Sequence, residues 1–395
     1  MQIEYLKIRN YKVFQNVEIA NIPSCAVFVG RNGAGKTTFF DIFGFLHDCL
    51  KETVRKALDM RGGFNEVVSR NQPGPIGITI KFREEKGKPL ITYELEIDQN
   101  SLRQPFVKKE RLYFRRGSGG APWLVLDFSN GKGKAAAGDL KSYEDVKKVQ
   151  DRPEQVLDSP ATLAIKGLGQ FKEFEAIANL RRLIEDWQVF DFHINEARSR
   201  QQDAYSESLS STGENLVQVT KYLRDTYPEQ FQKILRHMTE CIPGISQVNA
   251  VETADHYVVL QFKDEHFKNP FSARFVSDGT MKMFTYMVLL NNPERHALLC
   301  IEEPENQLYP ELLMILAEEF RLYSLTGGQV FISTHSPDFL DAIQLEELFC
   351  IVKQDGYSTI RRVSESPLIQ SLVRGGDLPG SLWNQGILMN EMVQK

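Results

Sequence analysis

The run Gly30-Arg31-Asn32-Gly33-Ala34-Gly35-Lys36-Thr37, followed by Thr38, fits the spacing G-x-x-x-x-G-K-[ST]. Glycines so placed let the backbone take positive φ and turn its N–H groups inward around a chain of phosphates. Lys36 adds a point charge toward the β- and γ-phosphates, and Thr37 offers its hydroxyl to Mg²⁺. A helix beginning here brings the positive end of its dipole to the same place. The chemistry implied is binding of ATP with Mg²⁺. The bland alternative is a glycine-rich turn that binds nothing, but a buried strand precedes the loop and a helical segment follows it.

Three further segments carry chemistry. Ala297 to Ile301 is wholly apolar and ends in Glu302-Glu303. At the tip of a buried strand one carboxylate can hold Mg²⁺, directly or through water, and the other can polarise an attacking water. Phe331-Ile332-Ser333-Thr334 is a second such strand and ends in His335, whereas His47, His193, His237, His256, His266 and His296 read as structural or solvated. Ser277-Asp278-Gly279 opens a helix running through Met283 to Leu290, so Ser277 and the first N–H groups form another anion-binding surface. One phosphate loop already cradles a triphosphate. A second phosphate-binding helix start makes sense if it faces the nucleotide of a partner molecule; read alone, it is a simple N-cap.

The elements that must position these residues can be read in order. Ile3 to Ile8 and Val13 to Ile19 alternate like half-buried strands, and Cys25 to Val29 is continuous and apolar, as a fully buried strand should be. A helical segment runs from near Gly35 to about Met60. From Gly74 to Phe128 short alternating runs separated by turn residues predict antiparallel hairpins, and Asn130 to Gly138 reads as an exposed loop. Helical periodicity dominates from Leu140 to Thr239, strands return over Ser246 to Phe262, and after Asp278 helix and strand alternate to about Ile360. This order predicts an α/β P-loop NTPase, a mixed and largely parallel sheet flanked by helices, with ligands at the carboxyl ends of the strands. It divides the chain into an N-terminal lobe, 1–60, a β-rich then helical insertion, 61–270, and a C-terminal lobe, 271–395.

The bulk numbers exclude several classes. Of 395 residues, 42% are hydrophobic and 25% charged, an ordinary globular balance without a membrane span or an apolar leader. The expectation is a soluble, cytoplasmic chain. Five scattered cysteines with no CxxC pair argue against a disulfide framework or a zinc site. A net charge of −5 gives no global footprint for nucleic acid. The segment Lys108 to Arg116, basic with interleaved aromatics, could follow a phosphate backbone, but reads first as a two-faced strand with a solvated charged side.

Taken together, GRNGAGKT, FVSDGTMKMF, LLCIEEPENQLYP and FISTHSPDFL resemble the Walker A, signature, Walker B with D-loop, and switch-histidine motifs of ABC-type ATPases. More narrowly, the set is similar to the RecF/SMC/Rad50-like branch and to standalone bacterial AAA-family ATPases (the AAA_21/AAA_15 group) of the kind found in phage-defence operons. The opening IEYLKIRNYKVFQNVEI, the segment RGGFNEVVSR and the tail GGDLPGSLWNQGIL look like the same group. The resemblance implies that Gly30 to Thr38 bind ATP and Mg²⁺, that Glu302 takes the metal side and that Glu303 is the catalytic base. It further implies that Ser277 and Gly279 contact the γ-phosphate held by the opposite subunit, that His335 senses it, and that Lys12 reaches the triphosphate. Glu302 stands where Asp is more general, Gln307 and Tyr309 stand where Gly and His are usual, and the Q-loop glutamine is Gln72 or Gln104.

The expected function is therefore an ATPase that dimerises, or forms a higher homo-oligomer, around ATP and switches a separate effector in anti-phage defence. The alternative is a DNA repair or recombination ATPase of RecF type. A transporter subunit fits less well, because Lys36 and Glu302 lie too far apart and SDGT differs from LSGGQ. Only about sixty residues follow His335, too few for the Toprim nuclease of the related overcoming-lysogenization proteins. The effector, a nuclease or toxin, is expected to be a separate polypeptide.

Overall fold

The computed structural model describes residues 2–84, 87–115, 121–137 and 153–394, and those residues build three sheets. The central one has the strand order β10-β15-β16-β3-β17-β18. Its members are β3 (Cys25–Val29), β10 (Trp187–Phe190), β15 (Leu298–Glu302), β16 (Gln329–Thr334), β17 (Leu348–Gln354) and β18 (Tyr357–Arg362). All neighbours are parallel except β17 and β18. Every residue of β3 and of β16 is buried, which is why their sequences are unbroken apolar or small runs rather than alternating ones. Successive side chains of β3 enter opposite layers. Ala26 and Phe28 join a core with Phe39, Phe40 and Phe43 of the helix Lys36–Lys51, while Cys25, Val27 and Val29 join one with the helix Asp278–Leu290.

The second sheet is antiparallel, with the order β2-β1-β4-β5-β6-β7-β8-β9. It comprises β1 (Gln2–Tyr11), β2 (Phe14–Ala20), β4 (Ile76–Arg83), β5 (Leu90–Gln99), β6 (Pro105–Arg115), β7 (Trp123–Ser129), β8 (Lys132–Ala135) and β9 (Gln155–Val156). Gln329 of β16 ties this sheet to the central one. Its amide is wholly buried; Oε1 accepts from the Ile3 N–H at 2.8 Å, and Nε2 donates to the carbonyls of Ile3 and Pro23 at 3.0 Å each. A small third sheet, β11 (Gln201–Gln202), β12 (Ile245–Glu252), β13 (Tyr257–Asp264) and β14 (Phe271–Ser272), packs with the helices Leu216–Thr226 and Pro228–Cys241.

The alternating sheet architecture agrees with the sequence reading; three local expectations do not. The segment from Gly35 to Met60 is two helices, Lys36–Lys51 and Val54–Asp59, because the chain breaks at Glu52 and Thr53 then caps the second helix by accepting from the Lys56 N–H. Asn130 to 137 is not an exposed loop: β8 pairs with β7 and buries Ala135, and Ala136 is buried beside it. Gly138 and the start of the expected helical stretch lie outside the described residues. Trp187–Phe190, embedded in helical periodicity, is the edge strand β10 of the parallel sheet. Four residues are too few to show a period of two against flanking helices. Segment 61–270 thus supplies β4–β9 to the antiparallel sheet, β10 to the central sheet and β11–β13 to the third.

The basic run on β6 is accounted for by its neighbours. Lys108 pairs with Asp98 at 2.9 Å, Lys109 with Glu94 at 2.9 Å and Arg111 with Asp127 at 2.7 Å, so these cations answer acids on adjacent strands. Arg116 lies outside the described residues. Among the described residues no helix is long and apolar enough to cross a membrane.

Candidate nucleotide site at the strand ends

In a parallel sheet all strands end on one edge, so the order β10-β15-β16-β3 brings four loops side by side: Asp191, Glu302-Glu303, Thr334-His335 and Gly30-Arg31. The loop after β3 is shaped by its glycines. Gly33 and Gly35 have φ of +75° and +109°, and a Cβ on Gly35 would come within 2.9 Å of Val13. Gly35 also starts the helix Lys36–Lys51 without any side chain taking up the first N–H groups. Arg31, Asn32, Gly33 and Thr37 are exposed, and Thr38 half-buried.

Lys36 is 6% exposed and folds over its own loop, donating to the Gly30 carbonyl at 2.9 Å. Its Nζ stands 3.7 Å from Oε1 of Glu303. Beside this pair, Thr37 Oγ1 donates to Glu302 Oε2 at 2.7 Å, although the two residues are 265 positions apart. Burial holds the Glu302 carboxyl above its ordinary range, the Thr37 hydrogen bond draws it down, and Asp191, Glu303 and Asp41 push it up again. Crowded acids beside a hydroxyl form a hard oxygen donor set suited to Mg²⁺. No group of three or more His, Cys, Asp or Glu able to hold a metal occurs among the described residues.

Glu303 itself has φ +43°, a left-handed backbone rare for a residue with a side chain, held by its N–H donating to the Ser333 carbonyl at 3.0 Å. Its carboxylate is met by His335 Nδ1 at 3.4 Å and by Asn306 Nδ2 at 3.3 Å. Lys36, Thr37, Glu302, Glu303 and His335 are therefore one cluster.

The remaining predicted residues are not part of it. Ser277 caps its own helix, accepting from the Thr280 N–H at 3.2 Å, and a Cβ on Gly279 would meet the Gln307 carbonyl at 3.0 Å. Among the described residues no hydrogen bond or ion pair joins either to the phosphate loop. Lys12 does not reach toward the loop: its ammonium is bound to Asp41 at 2.6 Å. Gln72 donates to the Tyr357 hydroxyl at 3.3 Å, and Gln104 lies in the β5–β6 turn bonded to Asn100. Neither touches the cluster.

Sequence reasoning missed four residues that hold the cluster in place. Glu305, with its side chain 8% exposed, accepts from Thr334 Oγ1 and from the His335 N–H at 2.8 Å each, and faces His335 Nδ1 at 3.3 Å. Asp41, one turn along from Lys36, gathers Lys12, the Tyr11 hydroxyl at 2.8 Å and Arg61 at 2.7 Å; Arg61 bonds Asp48 as well. Trp383, inside the tail GGDLPGSLWNQGIL, donates to the His335 carbonyl at 3.2 Å. Arg61 and Trp383 fall in segments already notable by resemblance, and Glu305 sits in the EEPEN run. Asp41 had no local signal.

Residues 25–341 match the AAA_21 family, described as "AAA domain, putative AbiEii toxin, Type IV TA system". The chain belongs to that family. No curated protein matches the sequence. Among solved structures, the crystal structure of an SMC head bound to the C-winged helix domain of ScpA overlaps 91% of this chain and 98% of its own, at TM-score 0.53 and 13% identity. The SMC head domain from Thermotoga maritima overlaps at TM-score 0.47 with 14% identity, covering 92% of this chain and 99% of that one. An SMC head with an extended coiled coil, bound to the C-terminal domain of ScpA derived from Pyrococcus furiosus, gives TM-score 0.48 and 12% identity, covering 94% and 99%. The last two scores add nothing to the argument; the first shows the fold. The chain is thus an AAA-domain protein whose fold is that of an SMC head, a P-loop NTPase fold.

Proposed function

We propose that this AAA_21 chain binds and hydrolyses ATP between two copies of itself, as an SMC/RecF-like ATPase, and acts as a switch for a separately encoded effector in bacterial anti-phage defence. One observation carries the catalytic part: Lys36 and Glu303 lie 3.7 Å apart across the strand ends, with Thr37 and Glu302 joined at 2.7 Å beside them.

The geometry supports the following roles. The N–H groups of Gly30 to Thr38 and the Lys36 ammonium bind the triphosphate, Lys36 leaving the Gly30 carbonyl to do so. Thr37 and Glu302 would hold Mg²⁺, which when bound supplies charge neutralisation at the phosphates. Glu303 accepts a proton from water as the water oxygen bonds to the γ-phosphorus; the bond from that phosphorus to the β–γ bridging oxygen breaks, and ADP and phosphate leave. His335 orients Glu303 and senses the γ-phosphate. Ser277 and Gly279 contact the triphosphate of the second copy, for which the separation of their helix start from the cluster within one chain is the supporting observation. Segments 1–60 and 271–395, joined by β10 in the central sheet, form the ATPase lobes, and the rest of 61–270 relays their closure. Moving a dimerisation equilibrium from 1:99 to 99:1 takes about 5.5 kcal/mol of differential affinity. Cross-subunit hydrogen bonds to phosphate, at roughly 1.5–3 kcal/mol each, supply that scale.

The effector assignment draws on the SMC head, whose structure holds it bound to the C-winged helix domain of ScpA; the family description names a putative toxin of a Type IV TA system, and a toxic activity in the chain itself is the outcome that would replace the effector. The RecF-type DNA reading gains nothing from β6, whose described cations are paired. The test is Glu303→Gln with saturating ATP and Mg²⁺. Phosphate release falls by about 100-fold or more while ATP is retained and the mass on light scattering doubles. A variant that retains ATP and stays monomeric would remove the sandwich reading.

A further inference from the structure

Asp191, His193, Asn306 and Gln307 line a cleft of about 580 Å³ beside the cluster, and Lys282 forms part of its wall. Lys282 is the fifth residue of the helix Asp278–Leu290, and only 2% of it is exposed. Among the described residues no hydrogen bond or ion pair reaches its ammonium. The charges that bear on it are the carboxylates of Asp191, Glu305 and Glu303, which offset burial only in part, so the ammonium is held below its ordinary range. Glu305 mirrors this condition. Its Oε1 grips Thr334 and His335, but its Oε2 is buried with no hydrogen-bond partner.

A buried lysine without a partner is costly to folding, and so is a buried carboxylate oxygen left unsatisfied. Here Lys282 lies in the cleft wall, on the helix that begins with Ser277, and Glu305 directly precedes the cleft residues Asn306 and Gln307 on the loop that carries Glu303. A structural role accounts for Glu305 Oε1, which holds Thr334 and His335, but not for its unpartnered Oε2 or for Lys282, whose place an apolar side chain of similar length would fill at lower cost. Groups retained against stability at a cleft point to function.

We propose that Lys282 is a positioning residue that links the start of helix Asp278–Leu290 to Glu305, and through Glu305 to His335 and Glu303 of the same chain. This rests on the reading that Ser277 and Gly279 dock the triphosphate of the second copy. Docking at Ser277 draws the helix start onto the phosphates, and Lys282, just over one turn along the same rigid helix, then pairs with Glu305 Oε2. The pair fixes the loop Glu303–Gln307 and with it the His335 backbone that Glu305 holds. Occupancy of one site thereby sets the catalytic carboxylate that serves the other.

The experiment uses the full chain with ATP and Mg²⁺. Lys282→Met keeps length and helix preference while removing the charge. Its Tm is unchanged or raised, its ATP Kd and KM stay within about twofold, and its kcat falls by about tenfold or more. Lys282→Arg, which restores the charge, recovers at least about a third of the wild-type kcat. Glu305→Gln loses kcat comparably, and the double variant Lys282→Met/Glu305→Gln is no slower than the slower single one. A Lys282→Met protein with kcat within about twofold of wild type overturns the proposal. So does a lowered Tm, or a protein that fails to fold, because a structural lysine behaves that way. Glu303→Gln in the same series separates the two ideas. If it does not dimerise with ATP, the sandwich reading fails and takes this link with it; if it dimerises and Lys282→Met keeps its kcat, Lys282 alone is wrong.

Discussion

The helix starts at Lys36 and at Ser277 were both expected to receive phosphate, yet they are built differently. At Lys36 the cap is Gly35 in a left-handed conformation, and no side chain takes up the first N–H groups. At Ser277 the backbone is extended, and the serine hydroxyl already accepts from the Thr280 N–H. A helix N-terminus left unsatisfied by its own chain is prepared for an anion from outside; one that is self-capped must exchange an internal bond for an external one. A third helix start shows the limiting case. Ala164–Leu168 is capped by Glu110 of β6, a wholly buried carboxylate that accepts from the Ala164 and Ile165 N–H groups and from the Tyr93 hydroxyl. Its acceptor is resident. The comparison teaches that the Lys36 end is the one left open for an outside anion, while the Ser277 end is satisfied by its own chain.

The sharpest way to break this ranking is at Lys36. Lys36→Ala should weaken ATP binding by about 100-fold or more, roughly 2.7 kcal/mol, in calorimetric titration of the isolated chain. Ser277→Ala should leave that affinity nearly unchanged and lower only the ATP-driven dimer fraction. Equal losses in the two variants would make the two ends equivalent and sink the distinction.

The resident carboxyl can be tested through pH. Burial lifts the Glu110 carboxyl from 4.5 to about 7, against the hydrogen bonds that favour its ionised form. The folded chain therefore keeps this proton where the unfolded chain has lost it, so stability is greatest below about pH 4.5 and falls as pH rises toward 7, by up to about 3 kcal/mol. Glu110→Gln should remove that slope in urea titrations between those pH values. An unchanged slope would mean that other groups carry it.

The smallest effect expected is on folding at the self-capped end. Ser277→Ala should cost about 1 kcal/mol in denaturant unfolding, because the Thr280 N–H loses its acceptor. No loss of stability would show that the cap is idle and that this helix end, too, is open to a ligand.

The legible parts of the site were those written in one stretch of chain. The glycine spacing dictates the turn around Gly30 to Gly35 because positive φ and close backbone approach are properties of single residues. Unbroken apolar runs foretold β3, β15 and β16, since a strand buried on both faces cannot alternate. The polar residues at their ends were candidates for the same reason. The pairing of Lys12 with Asp41 was not legible, because the two lie 29 residues apart and nothing in the local pattern announces it. The strand β10 and the short strand β8 were missed because four residues carry too little periodicity to outweigh their flanks.

Taken alone, the sequence determined the phosphate loop, the buried strands and the acids and histidine at their tips, all consequences of short-range sterics and burial. Only the tertiary structure decided that Lys36 meets Glu303, that Thr37 meets Glu302 across 265 residues, and that Glu305 and Trp383 fix His335. The reason is the strand order β15-β16-β3, which is set by how the layers pack and not by any stretch of chain, and which places distant strand ends a few ångströms apart.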